Sequence, residues 1–365
     1  LEEVDFGRRH FLGGDDSRGG QPIGVAAELA ACKAANNVCV GLWERGKVGQ
    51  VRPLATWAVG QARRALATAP DLATAWARLG LVLSIREPNT IPDPRPRFRL
   101  PHDPLQDLTP LRAISALIQA NTLEPGNYYV RSTLATLFFD RRMDEPAREF
   151  LKLLVESRPI SDRQRLSQDL FQERLRSSEQ RLARDVPRVW SNGTEFAKVL
   201  NGLLETGRVE AAAALMETSL PPTARSDEQT ELLGMLWLNL GQPKRAGQVW
   251  SQAPERPEDG RWLARQGLAA FVANDFEAAR SLYQRALSRS PGLFDAAYEL
   301  AVLEQDAGNA EAAARWARRA EQAATTDFAR AACAALAEWT KRYVEPVPPA
   351  RAEAGATSRA SGSSP

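Results

Sequence analysis

Small, aromatic and leucine residues recur at helical spacing along most of the chain, and in the C-terminal half the pattern returns at a fixed distance. In the segment "FEAARSLYQRALSRSP" (residues 276–291), Ala279, Tyr283 and Ala286 lie on one predicted helical face, and Pro291 ends the segment. The same three positions are filled one period earlier by Ala246, Trp250 and Ala253, and one period later by Ala313, Ala317 and Ala320. The pattern predicts a series of amphipathic helices with equivalent packing faces.

Predicted turns divide these helices into pairs. The turns fall at Gly207, Gly241, Asn274 and Gly308, which are 34, 33 and 34 residues apart. A unit of this length with two helices and small–large–small spacing resembles the tetratricopeptide repeat (TPR) family. In such a unit, small residues such as Gly267 and Ala279 let two antiparallel helices approach closely. We expect the large residue, such as Trp250, to fill the gap against the next unit.

The N-terminal half carries weaker copies of the same pattern. Trp76, Leu79 and Gly80 stand at the W-x2-L-G spacing of the family, and "RAISALIQANTLEP" resembles the second helix of a unit. The resemblance extends from about Gly24 to Ala320. It implies an all-α fold, namely a right-handed α-solenoid of about seven TPR-like helix hairpins with a Pro-rich insertion and disordered termini.

Breaks in the period define the expected domain organisation. Pro70 and Pro125 are fifty-five residues apart, about one and a half units, which indicates an insertion between two helices of one repeat. Residues 161–186 form one charged helix with a thin apolar stripe, typical of a surface or bridging helix. The segments are a flexible arm (1–23), N-terminal repeats (24–159) with the Pro-rich insertion at about 87–107, a bridging helix (160–192), C-terminal repeats (193–326), a capping helix (327–343) and a disordered tail (344–365).

Composition gives little support for catalysis or for nucleic-acid binding. The formal net charge is only +2, and the two histidines, His10 and His102, stand far from each other and from the three cysteines in the sequence. We therefore expect no catalytic residues, no metal site, no cofactor, no nucleic-acid partner and no enzymatic activity.

The segment "GLWERGKV" fits a phosphate loop except at Val48, where Ser or Thr would bind magnesium, so we interpret it as a turn between two helices.

The concave groove is the expected binding surface. The resemblance places ten residues along it, namely Tyr129, Thr136, Phe139, Met235, Leu238, Leu268, Phe271, Val272, Tyr298 and Val302. Some TPR domains hold acidic tails with a clamp of basic and amide residues. That clamp is absent at the corresponding positions, which are Ser132, Thr136, Glu231, Met235, Ala264, Leu268, Tyr298 and Val302. Apolar side chains there favour an apolar or helical protein segment as the partner. The alternative is a groove covered by the chain's own helix 161–186 or its N-terminal arm.

Two functions are compatible with this sequence. The first is a non-catalytic interaction scaffold or assembly factor, from a bacterium on the Ala- and Arg-rich usage, acting in the cytoplasm or on the periplasmic side of the envelope. The alternative is the soluble TPR region of a larger membrane or envelope enzyme whose catalytic part lies upstream of Leu1. No apolar run in the sequence is long enough to cross a membrane, so association with a membrane complex would depend on upstream sequence.

Overall fold

The computed structural model describes residues 23–86, 105, 108–157, 162–183, 193–253 and 259–342. Nearly all of the expected N-terminal arm, nearly all of the Pro-rich insertion and the whole tail from 344 lie outside these residues, as do His10 and His102.

Sixteen α-helices and no strand occur in the described residues, which confirms the all-α solenoid. In chain order they are α1 (Ile23–Glu44), α2 (Val48–Thr68), α3 (Ala73–Arg86), α4 (Thr109–Leu123), α5 (Tyr128–Asp140), α6 (Asp144–Glu156), α7 (Asp162–Leu182), α8 (Gly193–Glu205), α9 (Val209–Ser219), α10 (Asp227–Asn239), α11 (Pro243–Ser251), α12 (Arg261–Val272), α13 (Phe276–Arg289), α14 (Phe294–Asp306), α15 (Ala310–Ala323) and α16 (Asp327–Arg342).

Helices that follow each other pack as hairpins. The pairs are α1/α2, α3/α4, α5/α6, α8/α9, α10/α11, α12/α13 and α14/α15. Helices α3 and α4 contact each other closely although residues 87–108 separate them in the chain, since a Cβ on Gly80 would lie 2.5 Å from Cγ of Leu117. Helix α7 packs on α6, and α16 packs on α15 at the C-terminal end.

Each predicted turn of the C-terminal half adopts the left-handed backbone conformation. The φ angles are +71° at Gly207, +72° at Gly241, +63° at Asn274 and +81° at Gly308. Glycine, and to a lesser degree asparagine, tolerates this region because no bulky side chain clashes with the backbone. The residue types at the 34-residue spacing therefore match the backbone geometry that reverses the chain.

Aromatic rings explain the glycines inside the helices. A Cβ on Gly234 would lie 2.2 Å from the Trp250 indole, and one on Gly267 would lie 2.9 Å from the Tyr283 ring. Each ring thus lies on the glycine of its own unit, whereas the sequence pattern suggested a contact with the next unit. Tyr283 also lies near Glu299 of the next unit. Complete burial, and after it the charge of that carboxylate, raise the pKa of the Tyr283 phenol well above the ordinary value.

Candidate protein-binding groove

Ion pairs align the first helices of the three C-terminal units, α10, α12 and α14. Glu231, Arg265 and Glu299 occupy the same repeat position at 34-residue intervals, and all three are buried. Arg265 donates to Glu231 from Nε at 3.0 Å and lies 3.0 Å from the carboxylate of Asp295 on α14. A single arginine therefore connects the first helices of three consecutive units and holds the wall of the groove in register.

The central section of the groove is filled by α4. Five of the ten expected groove residues are at most 4% exposed, namely Met235, Leu238, Leu268, Phe271 and Val272. Helix α4 contacts both α10 and α12, and a Cβ on Gly241 would lie 2.8 Å from Cγ2 of Ile114. These five side chains belong to the hydrophobic core that α4 completes.

Arg112 anchors α4 in this position. It is the only charged residue of the helix, and its side chain is 1% exposed. Its Nε and Nη2 donate to Oδ1 of Asn274 at 3.1 and 3.0 Å, and Nη1 pairs with the buried carboxylate of Asp306 at the end of α14. Its Cζ lies 4.6 Å from the centre of the Phe271 ring, which places the cation against an aromatic face.

A second arginine from the N-terminal half contacts the same region. Cζ of Arg63 on α2 lies 3.3 Å from the centre of the Phe276 ring, and Cζ of Arg112 lies 5.2 Å from it. Burial, together with the charge of Arg112, lowers the pKa of Arg63 to about 10, so the guanidinium remains charged at neutral pH. Helices α2 and α4 thus attach the N-terminal repeats to the C-terminal groove.

The N-terminal end of the groove is partly covered by α7. Tyr129, Thr136 and Phe139 are half-buried on α5. Arg174 of α7 donates from Nη1 to Oγ1 of Thr136 at 3.0 Å, and its Cζ lies 5.1 Å from the centre of the Phe139 ring. The charged helix therefore lies over part of the expected binding surface.

Helix α7 is held in place by polar contacts as well as by apolar ones, such as those of the buried Phe171. Asp144 of α6 is 1% exposed and accepts hydrogen bonds from Ser178 at 3.0 Å and from Nε and Nη2 of Arg181 at 2.7 and 2.6 Å. The sequence predicted a surface or bridging helix because the apolar residues of this segment form only a thin stripe. Burial of Ser178 and Arg174 shows that polar residues form much of the packed face.

The C-terminal end of the groove is less covered. Tyr298 and Val302 on α14 are half-buried, and the Tyr298 ring stacks on Phe294 with 5.7 Å between centres. Both residues pack against a small cluster of Ala301, Ala317 and Leu336, the last from α16.

Comparisons with known proteins give no family assignment for the chain. No family model matches the chain, and no curated protein matches it. Similar solved structures include a tetratricopeptide repeat protein from Parabacteroides merdae (10% identity, TM-score 0.33, 86% of this chain and 99% of that one) and yeast Tom70 (10%, 0.34, 87% and 96%). A third is the TPR2AB domain of yeast Sti1 (12%, 0.29, 87% and 98%).

The geometry of the described residues shows an all-α solenoid of helix hairpins. At such identities and TM-scores, neither the partners nor the functions of those proteins transfer to it.

Other candidate chemistry is limited in the part of the chain that the structure describes. "GLWERGKV" forms the end of α1, a turn with Gly46 at φ +71°, and the start of α2. No group of three or more His, Cys, Asp or Glu residues could hold a metal ion among the described residues. None of the described helices combines the length and the apolar character needed to cross a membrane. Burial raises the pKa of the Cys32 thiol to about 12, which makes it a poor nucleophile.

Arg112, Asn274 and Asp306 were not among the expected site residues. The only sequence signal for Arg112 is its isolation, since the other fourteen residues of α4 are uncharged. A single charged residue in an otherwise uncharged helix is either buried and paired with another polar group or exposed to solvent. The sequence does not distinguish these two positions.

Proposed function

We propose that the chain is a non-catalytic protein–protein interaction scaffold that holds a partner segment on its concave face. One observation carries this proposal: the groove formed by α10, α12 and α14 already holds a helix, α4, through a buried apolar face and an arginine anchor. Recognition of an amphipathic helix in a groove uses the same elements between separate proteins. The surface therefore has the shape and chemistry to bind protein segments.

The partner segment would lie at the C-terminal end of the groove, because α4 fills the centre and α7 covers part of the N-terminal end. Tyr298 and Val302, one helical turn apart, leave a half-exposed apolar surface on α14. Tyr298 is held by its stacking on Phe294, so little side-chain entropy would be lost when a partner binds. A rigid aromatic at this position suits the role of an anchor.

Affinity capture with quantitative mass spectrometry tests the proposal. We expect the combined substitution Tyr298→Ala and Val302→Ala to reduce capture of the main partner at least about tenfold, which corresponds to roughly 1.4 kcal/mol of binding free energy. Phe328→Ala is the matched control, since Phe328 is 74% exposed and lies on α16. Undiminished capture by the double variant, with its helical content intact, would place the partner surface elsewhere.

A further inference from the structure

A cleft of about 410 Å³ lies beside α4, outside the ten expected groove residues. One wall is a stripe of α4 that includes Ile118 and Thr122, four residues apart, and the opposite wall is the turn and first residues of α11, from Gly241 to Arg245. Trp76 of α3 closes one side. The volume falls within the range of about 300–1,000 Å³ that small-ligand pockets have, so it admits one or two large side chains but not a helix.

The depth of each residue separates an apolar interior from a polar rim. Gly241 and Pro243 are buried, and Ile118 and Trp76 are half-buried. Trp76 is fixed in orientation, because its indole N–H donates to the carbonyl of Pro70 at 2.7 Å. Thr122, Lys244 and Arg245 are exposed and lie at the opening. A ligand would thus place an apolar group inside and polar groups at the rim.

The charge of the rim is positive and incompletely compensated. Lys244 and Arg245 are the two charged residues of the lining, and the lining includes no carboxylate. Arg245 stacks on Trp237 with 3.4 Å from Cζ to the ring centre and pairs with Glu217 at 2.9 Å. Lys244 is exposed at the opening of the cleft and forms no ion pair with any described residue.

We propose that this cleft binds an extended peptide segment in which a large apolar side chain stands next to a carboxylate. The apolar side chain contacts Trp76, Ile118 and Pro243, and the carboxylate lies beside Lys244 at the rim. Electrostatic complementarity selects an acidic segment, and the apolar interior supplies a desolvated contact. The site lies between α4 and α11, whereas the partner surface proposed above lies on α14, so the two are independent.

Fluorescence anisotropy with the full chain and labelled ten-residue peptides tests this site. The probe peptide has a Leu-Phe pair between glutamates, a second peptide has lysines in place of the glutamates, and a third has serines in place of Leu-Phe. We expect the first to bind at least about tenfold more tightly than either of the others, and less tightly as salt rises. Equal binding of all three, or no binding of the first, would overturn the proposal.

Two variants locate the binding. Lys244→Glu reverses the charge of the exposed lysine at the rim, and Thr122→Trp fills the opening from an exposed position on α4. Each should weaken binding of the acidic peptide at least about tenfold. Lys198→Glu makes the same charge change on the exposed surface of α8 and should leave binding unchanged. Unaltered affinity in both cleft variants would also overturn the proposal. The Tyr298→Ala and Val302→Ala chain should still bind the peptide, which separates this site from the groove end.

Discussion

The guanidinium of Arg112 donates two hydrogen bonds to the side-chain oxygen of Asn274, a residue 162 positions further along the chain. Asn274 has a left-handed backbone, and its side chain points back to the N-terminal half. The contact therefore joins a turn of the C-terminal repeats to a helix of the N-terminal repeats. In a solenoid, units contact mainly their neighbours, so a bond of this span means that the array closes on itself.

We expect Arg112→Ala to lower the free energy of unfolding by about 3–5 kcal/mol. Its buried partner Asp306, with 2% of its side chain exposed, would lose this direct ion pair, and the amide oxygen of Asn274 would lose the two hydrogen bonds from the guanidinium. Urea denaturation followed by circular dichroism measures the change. Arg112→Lys should give an intermediate loss, because an ammonium group keeps the charge but cannot form the same forked contact.

A surface arginine provides the control for this substitution. Arg148 pairs with Glu149, and their side chains are 34% and 60% exposed. Arg148→Ala should therefore cost less than about 1 kcal/mol. Equal stability of the Arg112→Ala and Arg148→Ala chains would show that the closure of the array through Arg112 contributes little.

Gly267→Leu should destabilise the protein by about 1–3 kcal/mol through overpacking. The first side-chain carbon would already lie 2.9 Å from the Tyr283 ring, which is fully buried. Gly247→Ala is the comparison, because its Cβ would lie at an ordinary 3.6 Å from Cβ of Ala269. That change should be neutral or stabilising, since alanine favours a helix over glycine by about 1 kcal/mol. Unchanged unfolding of Gly267→Leu would contradict the assigned repeat frame.

Two turn residues should respond to substitution in opposite directions. Arg142 is exposed and has φ +57°, so Arg142→Gly should stabilise the protein by up to about 1 kcal/mol by removing backbone strain. Gly308 has φ +81° and open space around its Cα, so Gly308→Ala should cost about 1–2 kcal/mol through the backbone alone. Thermal and urea unfolding measure both. A stabilising Gly308→Ala change would show that this turn can leave the left-handed region.

The repeat architecture could be predicted because its signals are local and periodic. Gly241 and Asn274 mark turns through their backbone tolerance, and Gly234 and Gly267 mark close helix contacts through their lack of a side chain. Each of these two signals depends only on residues within one repeat unit. For the same reason the hairpins could be identified from a 34-residue spacing without knowing how the whole array curves.

The filling of the groove could not be predicted from the same signals. An apolar residue such as Phe271 at a concave position is equally compatible with a partner, with a free apolar surface, or with a helix of the same chain. The choice depends on the path of the array, which brings residue 112 to residue 274. From the sequence, helix 161–186 and the N-terminal arm were the segments expected to cover the groove if the chain covered it itself. In the structure, α4 fills the centre of the groove.

The double substitution Phe271→Ala and Leu268→Ala distinguishes a core from an open binding surface. Both side chains are at most 1% exposed, and Phe271 contacts the Arg112 guanidinium and the Phe276 ring, with 5.4 Å between ring centres. Truncating a buried phenylalanine costs about 3–5 kcal/mol and a buried leucine about 2–5 kcal/mol. We therefore expect the free energy of unfolding and the melting temperature to fall sharply.

Partner capture by the same chain, measured well below its melting temperature, completes this test. We expect capture to survive for as long as the chain stays folded, because the proposed partner surface at Tyr298 and Val302 lies on α14. Tyr298→Ala with Val302→Ala should behave in the opposite way, losing capture with a much smaller loss of stability, since both side chains are only half-buried. If Phe271→Ala with Leu268→Ala instead abolished capture and left the melting temperature unchanged, the centre of the groove would be an open partner site and α4 would not be its permanent occupant.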